Sequence, residues 1–410
     1  MKKMVFPAIA DLSQDIAGPI PVEIVQAWLS SSKSEKDARK ILGAYEQEGT
    51  VVSSDTSGLS KLSQEKDLLE VIKIINDAKE IIYGLGKQVD GEAIGRWVAD
   101  NTQMFYDKKT KAEDILNVIY ETNKRILSDC EVKVGFAAHQ GKFLQFGGGM
   151  YGDQADFIEE IAENEASGGQ ILATHSLAAE IKNHPSFSFS ELSNLNNSLE
   201  KVYVLDKASG FANLDITDRD YPIYFDKNFH QLIRKLNEEG VRDQIYNSYN
   251  HNRFVVLIQR GQLDFSRDTA GLLNNLSINL TFSSALKQVA QSYSNIQEIK
   301  IIGGLAIFVF DSKTAEGAIE FSKNAKDALA KDNLECTIGI DGGDVLLFPL
   351  EDNQWDIAGS PVNVASKQAQ DFGKVGNIYI TKKAASGVDV SSAQKYKTEI
   401  SKVELNGYIL

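Results

Sequence analysis

The sequence IKIIGGLAIFVF at residues 299–310 decides the fold, because two runs of β-forming residues meet there at a Gly-Gly pair. Such a pair between apolar runs is typical of a tight hairpin turn. The residues that follow, Ala315–Ala330, have apolar side chains at helical spacing. A strand pair that leads into a helix predicts a domain in which helices pack on a sheet.

The hairpin pattern belongs to a unit that occurs twice in the chain. At an offset of 204 residues, WVADNTQMFYDKKT (97–110) aligns with IIGGLAIFVFDSKT (301–314), and GTVVSSDTSG aligns with RFVVLIQRGQ. The same offset aligns EVKVGFAAHQG with ECTIGIDGGDV and so pairs Gly135 with Gly339. Further along, GQILATHSLA aligns with GNIYITKKAA at an offset of 207. A nearly constant offset over several segments indicates two homologous domains.

Each copy is predicted to follow the ferredoxin-like order of elements. A strand is followed by a long helix, a strand pair, a second helix and another strand pair, which is an α+β pattern with helices packed on one face of the sheet. The last strand pair is predicted at Lys133–Phe136 with Phe143–Phe146, and at Thr337–Ile340 with Val345–Phe348. We expect the two domains to pack head-to-tail as a pseudo-two-fold intramolecular dimer.

The repeat divides the chain into four parts. They are a helical N-terminal extension at residues 1–46, a first domain at 47–225, a helical linker at 226–249 and a second domain at 250–410. Helical signals in the extension lie around Val22–Leu29 and Glu35–Gln47. The length of 410 residues suits two domains, because a single hydrophobic core rarely grows so large.

Composition limits the classes of function. The net charge of -14 argues against a nucleic-acid-binding surface, although a metal site could neutralise a single nucleotide. No stretch approaches the ~20 consecutive apolar residues of a membrane span, so none is predicted. The two cysteines, Cys130 and Cys336, make a disulfide framework improbable and favour a reducing, cytoplasmic setting.

Carboxylates at two strand ends occur in the first copy alone. Asp55 follows the first strand and Asp100 lies in the turn of the hairpin, whereas the aligned residues of the second copy are Gln259 and Gly304. A single such aspartate is most often a turn or cap residue. Two that converge from separate strands, and that are lost together in the other copy, favour a site for two divalent cations, Mg²⁺ or Mn²⁺.

The residues directly after Asp55 are candidates for contact with phosphate groups. Small and polar side chains, with a glycine for backbone freedom, would let main-chain amides face the anion. These residues are Thr56, Ser57, Gly58, Leu59 and Ser60.

The second copy carries a further pattern, WDIAGSPVNVASKQAQ, after KIIGGLAIFVF and TIGIDGGDV. Together these segments resemble the catalytic domains of class III adenylyl and guanylyl cyclases. In the first copy, VVSSDTSGLSKLS and WVADNTQMF are similar to the segments of that family that carry its two metal-binding aspartates. The resemblance runs from about Gly49 to the C-terminus, and two unlike domains on one chain are similar to the soluble adenylyl cyclase type.

The resemblance implies a role for each of five residues in the second copy. Lys300 and Asp356 would read adenine, the lysine donating to N1 and the aspartate accepting from the 6-amino group. Asn363 would orient the ribose, and Lys402 would contact the terminal phosphate. Lys367 stands in the place of the family's transition-state arginine, and a lysine offers a point charge where arginine offers a planar fork. The difference implies weak or regulated turnover, or a decayed enzyme.

The implied function is an adenylate cyclase that converts ATP to 3′,5′-cyclic AMP at one composite site between the domains. In the first copy, the residues aligned with the base, ribose and phosphate positions are Arg96, Gly149, Asp156 and Glu160. Two acids at phosphate-facing positions predict that the second, pseudo-symmetric site is degenerate, where a small-molecule regulator would fit.

Two alternative functions stay open. One is a nucleotide-binding regulatory protein without turnover, which Lys367 suggests. The other is a guanylate cyclase, which is disfavoured because guanylyl enzymes of the family carry Glu and a small polar residue where Lys300 and Asp356 stand.

Overall fold

The computed structural model describes residues 22–410 apart from a set of short gaps. The gaps are residues 59–61, 63–64, 96, 98–100, 193–198, 212–213, 215, 217–224, 264, 267, 351–353 and 401–402. Four residues predicted for the site, Leu59, Ser60, Asp100 and Lys402, therefore lie outside the described residues. The chain divides into two compact units, the second of which holds Phe225–Phe265 and Asn274–Leu410. We refer to the units as the first and second domains.

The first domain follows a short N-terminal helical pair. Its elements are α1 (Val22–Leu29), α2 (Glu35–Leu42), β1 (Glu46–Ser57), α3 (Leu68–Gly86), β2 (Glu92–Ala93), β3 (Thr102–Asp107), α4 (Ala112–Asp129), β4 (Lys133–Phe146), β5 (Gly149–Tyr151), α5 (Asp153–Asn164), β6 (Ile171–Thr174), α6 (His175–Ala178), β7 (Ser188–Glu191) and β8 (Val202–Lys207). The long helix α3 begins where Asp67 caps it, its side chain accepting hydrogen bonds from Leu69 N and Glu70 N.

The second domain repeats this order, and the start of its helix α9 (Thr269–Ala290), residues 269–273, groups with the first unit. Its elements are α7 (Lys227–Arg234), α8 (Val241–Tyr249), β9 (Asn250–Arg260), α9 (Thr269–Ala290), β10 (Ile296–Ile302), β11 (Leu305–Phe310), α10 (Glu316–Lys331), β12 (Cys336–Pro349), β13 (Trp355–Ala358), α11 (Ser360–Ser366), a π-helical turn (Lys367–Asp371), β14 (Ile378–Thr381), β15 (Gln394–Ile400) and β16 (Val403–Ile409). Ile302 pairs with Leu305, so the Gly-Gly pair between them forms the predicted hairpin turn.

Each domain contains one mixed sheet of eight strands. The strand orders are β2-β3-β1-β4-β6-β8-β7 and β10-β11-β9-β12-β14-β16-β15, with β5 on β4 and β13 on β12. In both sheets, the first four strands of this order each run antiparallel to their neighbours. The strand that comes first in the domain's sequence, β1 or β9, lies third in the order. This is the ferredoxin-like arrangement, and the predicted α+β fold with two similar domains is confirmed.

The segments predicted as last strand pairs form single long strands instead. β4 pairs with β1 without interruption from Lys133 to Leu144, and β12 pairs with β9 in the same way over Cys336–Leu346. Gly141 lies inside β4, between the two segments predicted as separate strands. A side chain at Gly141 would collide with Gln154, so glycine here admits a close neighbour and does not reverse the chain.

Helices cover both faces of each sheet, where the sequence predicted one. In the first domain Val52 faces α3 and α4, whereas its neighbour Val51 faces α5. In the second domain Val256 faces α9 and α10, and Val255 faces α11. Burial on both sides explains why apolar residues are adjacent in the central strands, at 51–52 of β1 and 254–258 of β9, and do not alternate with polar residues there.

The predicted helical linker consists of α7 and α8, which pack on the second domain. Phe229 of α7 is fully buried and stacks on Phe348 of β12, with ring centroids 4.9 Å apart. The predicted N-terminal helices are also present, although α2 ends at Leu42, where a 3₁₀ turn, Gly43–Tyr45, leads into β1 at Glu46. None of the helices in the described part of the chain combines the length and apolarity that crossing a bilayer requires.

Strand register corrects one detail of the repeat. Gly135 lies opposite Asp55, and Thr337 lies opposite Gln259. Because Asp55 and Gln259 are equivalent, the counterpart of Gly135 is Thr337 and not Gly339. The constant offset failed here because the second copy is two residues shorter before β12.

Candidate functional site

Asp55 lies near the end of β1, in the centre of the first sheet. It is half-buried and sits opposite Gly135 of β4. On its other side, the preceding residue Ser54 pairs with Thr102 of β3, and their hydroxyl oxygens are 2.6 Å apart. Asp100 precedes Thr102 by two positions in the chain, outside the described residues. The structure thus places one of the two predicted metal ligands.

Part of the segment predicted to face phosphate groups belongs to strand β1. Thr56 and Ser57 still belong to β1 and pair with Val134 and Lys133 of β4. The turn starts at Gly58, whose φ of +83° lies in the region that glycine adopts without strain.

The donor chemistry at this strand end suits a hard divalent cation. Carboxylate oxygen is the ligand that Mg²⁺ prefers, and Asp55 supplies one such group. Within the described ranges, no three His, Cys, Asp or Glu side chains form a cluster that could hold a metal ion by itself. A site here would need Asp100 as well as groups from the bound nucleotide or solvent.

The two residues predicted to read the base lie together in the second domain. Lys300 of β10 and Asp356 of β13 form an ion pair with Nζ 2.9 Å from Oδ1. The carboxylate side chain is 7% exposed and the lysine side chain 22% exposed. Lys300 follows a bulge in β10, where the register with β11 shifts between Glu298 and Lys300. A bulge changes the direction of the next side chain, so this irregularity helps to orient the lysine.

Asn363 and Lys367 share one face of the helical segment that follows β13. The backbone N–H of Lys367 donates to the carbonyl of Asn363, which sets the two residues one turn apart. Asn363 is exposed near the start of α11, directly after Gly359 and Pro361. Lys367 begins the π-helical turn, and its Nζ lies 3.6 Å from Asp371 Oδ2.

The equivalent positions of the first domain carry different chemistry. Gly149 pairs with Phe146 as Asp356 pairs with Phe348, so the first domain has no side chain where the second has the carboxylate that is predicted to read the base. Helix α5 continues as a regular α-helix through Asp156 and Glu160. Arg96, aligned with Lys300, lies outside the described residues.

An arginine that was not predicted for the site lies beside Gly304, the residue aligned with the predicted metal ligand Asp100. Gln259 accepts a hydrogen bond from Gln370 Nε2 at 3.0 Å. The next residue, Arg260, lies over the backbone of the hairpin turn, so a side chain placed at Gly304 would meet the arginine Nε at 3.1 Å. Arg260 also donates to Asn275 Oδ1 at 3.2 Å. A basic residue directly after Gln259 was the available signal.

A second missed feature is a buried polar cluster around His139 of β4. Its Nδ1 lies 2.9 Å from Glu200 Oε1 and 3.0 Å from Thr174 Oγ1. Ser176 donates to the same Glu200 oxygen at 2.7 Å. Ser176 Oγ approaches His139 at Nδ1, the nitrogen that already faces Glu200, so the group is not a nucleophile–base–acid chain. Burial lowers the pKa of His139, although Glu200 opposes the shift.

The second domain holds an acid at the equivalent place. Asp341 of β12 is buried and accepts a hydrogen bond from the hydroxyl of Thr381, the counterpart of Thr174. Burial raises the pKa of Asp341, while Thr381, the Gly342 amide and Lys383 act in the opposite direction. Both domains therefore tie the centre of the long strand to the end of the next parallel strand through a polar contact.

Neither a protein-family profile nor a curated protein sequence matches the chain. Among solved structures, the chain is similar to a class III adenylyl cyclase-like ATP-binding protein from Pseudomonas aeruginosa, at 13% identity and a TM-score of 0.47 over 83% of this chain and 84% of that one. It is also similar to the adenylyl cyclase CyaB from P. aeruginosa (14% identity, TM-score 0.36, 41% of this chain and 98% of that one). The guanylate cyclase domain of RhGC from Catenaria anguillulae has 14% identity and a TM-score of 0.35, over 40% of this chain and 99% of that one. Similarities at this level identify neither a substrate nor an activity.

Proposed function

We propose that the protein is an adenylate cyclase that converts ATP to 3′,5′-cyclic AMP and pyrophosphate. The observation that carries the proposal is the ion pair of Lys300 and Asp356, with its two charged atoms 2.9 Å apart. Adenine presents an acceptor, N1, beside a donor, its 6-amino group. An ammonium group next to a carboxylate offers the complementary donor and acceptor.

The same pair argues against guanine. In the orientation that suits adenine, guanine would turn its O6 acceptor toward Asp356 and its N1–H donor toward Lys300. Acceptor would face acceptor and donor would face donor, and a buried polar group left unpaired costs binding energy. The carboxylate of Asp356 is 7% exposed, so solvent would relieve little of that cost.

Asn363 and Lys367 would hold the sugar and the phosphates. Asn363 is exposed and stands one helical turn before Lys367, so one face of the segment offers an amide and an ammonium group in sequence. The amide would orient the ribose, so that the bond from its 3′-oxygen to the α-phosphorus forms while the bond to pyrophosphate breaks. The ammonium group would stabilise charge on the α-phosphate, and Lys402 would contact the terminal phosphate.

Asp55 and Asp100 would hold the two divalent ions, which when bound stabilise negative charge on the attacking and leaving oxygens. The glycine-initiated turn at Gly58 would bring main-chain amides toward the phosphates. Because the proposed metal ligands belong to the first domain and the proposed base-reading residues to the second, the reaction would need residues of both.

A nucleotide-binding protein without turnover is the second candidate. The observation that favours it is Lys367, which replaces a planar guanidinium by a point charge and lies 3.6 Å from a carboxylate of Asp371. Binding of ATP with no cyclic product would be the expected behaviour of such a protein.

The two candidates separate in one assay of the purified chain. With ATP and either Mg²⁺ or Mn²⁺, we expect cyclic AMP and pyrophosphate by mass spectrometry, and we expect Asp55→Ala or Asp100→Ala to abolish both. GTP in competition should reduce the rate little. Absence of product with either metal at every pH tested would contradict the cyclase, and calorimetric ATP binding in the same samples would then support the second candidate.

A further inference from the structure

The π-helical turn of Lys367–Asp371 sets the second domain apart from the first. In this turn the N–H of Phe372 donates to the carbonyl of Lys367, five residues earlier. Such turns are rare and often mark functional positions. Here the turn places a cation and an anion, Lys367 Nζ and Asp371 Oδ2, 3.6 Å apart.

Side-chain amides anchor the turn from two directions. Gln370 donates to Gln259 Oε1 at the end of β9, at 3.0 Å, and its own Oε1 accepts from Ser366 at 2.5 Å. Gln368 is fully buried and donates to the hydroxyl of Tyr396 in β15 at 2.7 Å. These contacts fix the backbone from which both charged side chains extend.

The first domain offers the matched contrast. Glu160, the counterpart of Lys367, lies in the regular helix α5, and the residue four positions later is the neutral Asn164. Asn164 donates to the main-chain carbonyl of Glu160. Lys367 is therefore followed four residues later by an opposite charge, whereas Glu160 is followed by a neutral residue.

We propose that Asp371 is a positioning residue that acts through Lys367, by competing with the phosphates of the nucleotide for the ammonium group. This inference rests on the proposed function, because it takes Lys367 as a phosphate contact. Before the nucleotide binds, Asp371 holds Lys367 against the π-helical turn. The more highly charged triphosphate then displaces the carboxylate, whose exposure of 45% lets it move into solvent. Asp371 thus lowers the affinity for phosphate groups and leaves the base contacts unchanged.

The test compares two ligands in four proteins. The ligands are an ATP analogue with a methylene group between the α- and β-phosphorus, which cannot cyclise, and adenosine, which lacks phosphates. The proteins are the wild type, Asp371→Asn, Lys367→Met and the double variant. We expect Asp371→Asn to bind the ATP analogue about two- to fivefold more tightly in calorimetry, with adenosine affinity unchanged. A fifth protein, Asp371→Glu, keeps the negative charge as a control and should behave as wild type.

The double variant shows whether Asp371 acts through Lys367. In the Lys367→Met background, Asp371→Asn should change the affinity for the ATP analogue by much less. Equal effects of Asp371→Asn on both ligands, or an effect that persists without Lys367, would overturn the inference and assign Asp371 a structural role. Tight binding of the ATP analogue with no effect of Asp371→Asn would overturn the inference alone. Failure of the wild type to bind either ligand would overturn the proposed function as well.

Discussion

The two domains share a fold but differ at every position that would contact a nucleotide. Both sheets have the same strand order, and Gly149 and Asp356 occupy the same register position. Yet the first domain has Asp55 where the second has Gln259, and Glu160 where the second has Lys367. The buried residues that maintain a sheet are constrained by packing, whereas strand ends and helix starts can diverge without cost to the core. The two domains have therefore kept the same fold. On our proposal, each kind of contact with the nucleotide is present in one domain and lost in the other.

The largest effect should come from making the first domain resemble the second. Asp55→Gln introduces the residue of the second domain and removes the only proposed metal ligand within the described residues. We expect cyclic AMP formation to fall by about 10²–10³-fold or more, because the charge of the transition state loses its stabilisation. The matched change, Gln259→Glu, keeps the acceptor for Gln370 Nε2 and should leave the rate within about twofold. Comparable losses in both variants would remove the functional distinction between the domains.

A smaller effect is expected from the base-reading pair. Lys300→Ala should lower kcat/KM for ATP by about 10- to 100-fold while that for GTP changes far less, because Asp356 loses its partner and adenine loses a donor. The control is Lys287→Ala, since Lys287 forms an ion pair with Glu298 of the same strand at 3.2 Å. An equal loss for both nucleotides would assign Lys300 a structural role.

Lys367→Arg should act in the opposite direction. A guanidinium group can form two parallel hydrogen bonds to a phosphate, so we expect kcat to rise by roughly three- to tenfold. Glu160→Gln, at the equivalent position of the first domain, should change kcat by less than about twofold. If kcat for Lys367→Arg stays the same or falls, then the lysine is already the better residue in this site.

The smallest effect concerns stability and the two buried polar clusters. Burial lowers the pKa of His139 below its ordinary value of 6.5, so the unfolded chain binds a proton more readily than the folded one. The stability that neutral His139 provides is thus present above pH 6.5 and is lost as pH falls below it. The melting temperature of the wild type should fall when the pH is lowered from 7.5 to 5.5. In calorimetric scans, we expect that of His139→Asn to fall by about 2–4 °C less.

Asp341 provides the contrast for that measurement. Its pKa is raised above 3.8, so here the folded chain binds the proton more readily, and stability falls as pH rises from 3.8 through the raised value. Asp341→Asn should therefore weaken the dependence of stability on pH in this lower pH range, where, unlike the effect of His139, stability falls as pH rises. If both variants shift the melting temperature in the same direction over the same pH range, the two clusters do not differ as their burial implies.

Much of the fold follows from local sequence patterns. The repeat, the long helices and the Gly-Gly hairpin were predicted because each depends on residues that are close in the chain. The errors concern strand length and burial. β4 and β12 were predicted as strand pairs, because whether a strand continues depends on its pairing with a strand that is distant in sequence. Apolar runs likewise do not reveal whether one or both faces of a strand are covered.

The candidate site was predicted less completely. The sequence indicated Lys300 and Asp356, which the structure brings to 2.9 Å, although their role stays a prediction. It gave no signal for Asp371, because the ion pair with Lys367 depends on a π-helical turn that periodicity does not distinguish from an α-helix. Arg260 was missed because its position over Gly304 depends on the packing of two strands that are far apart in sequence.

The bulge in β10 has a consequence for solubility. β10 stands at one end of the strand order of the second sheet, and its sequence, IQEIKII, combines β-forming residues with few charges. A flat strand of this kind at a sheet edge is a template on which another chain can add a strand. The extra residue twists the edge and places Lys300 in the run, and both features disfavour such pairing. Deletion of Ile299 would thus be expected to promote self-association of the chain, even where it leaves the core intact.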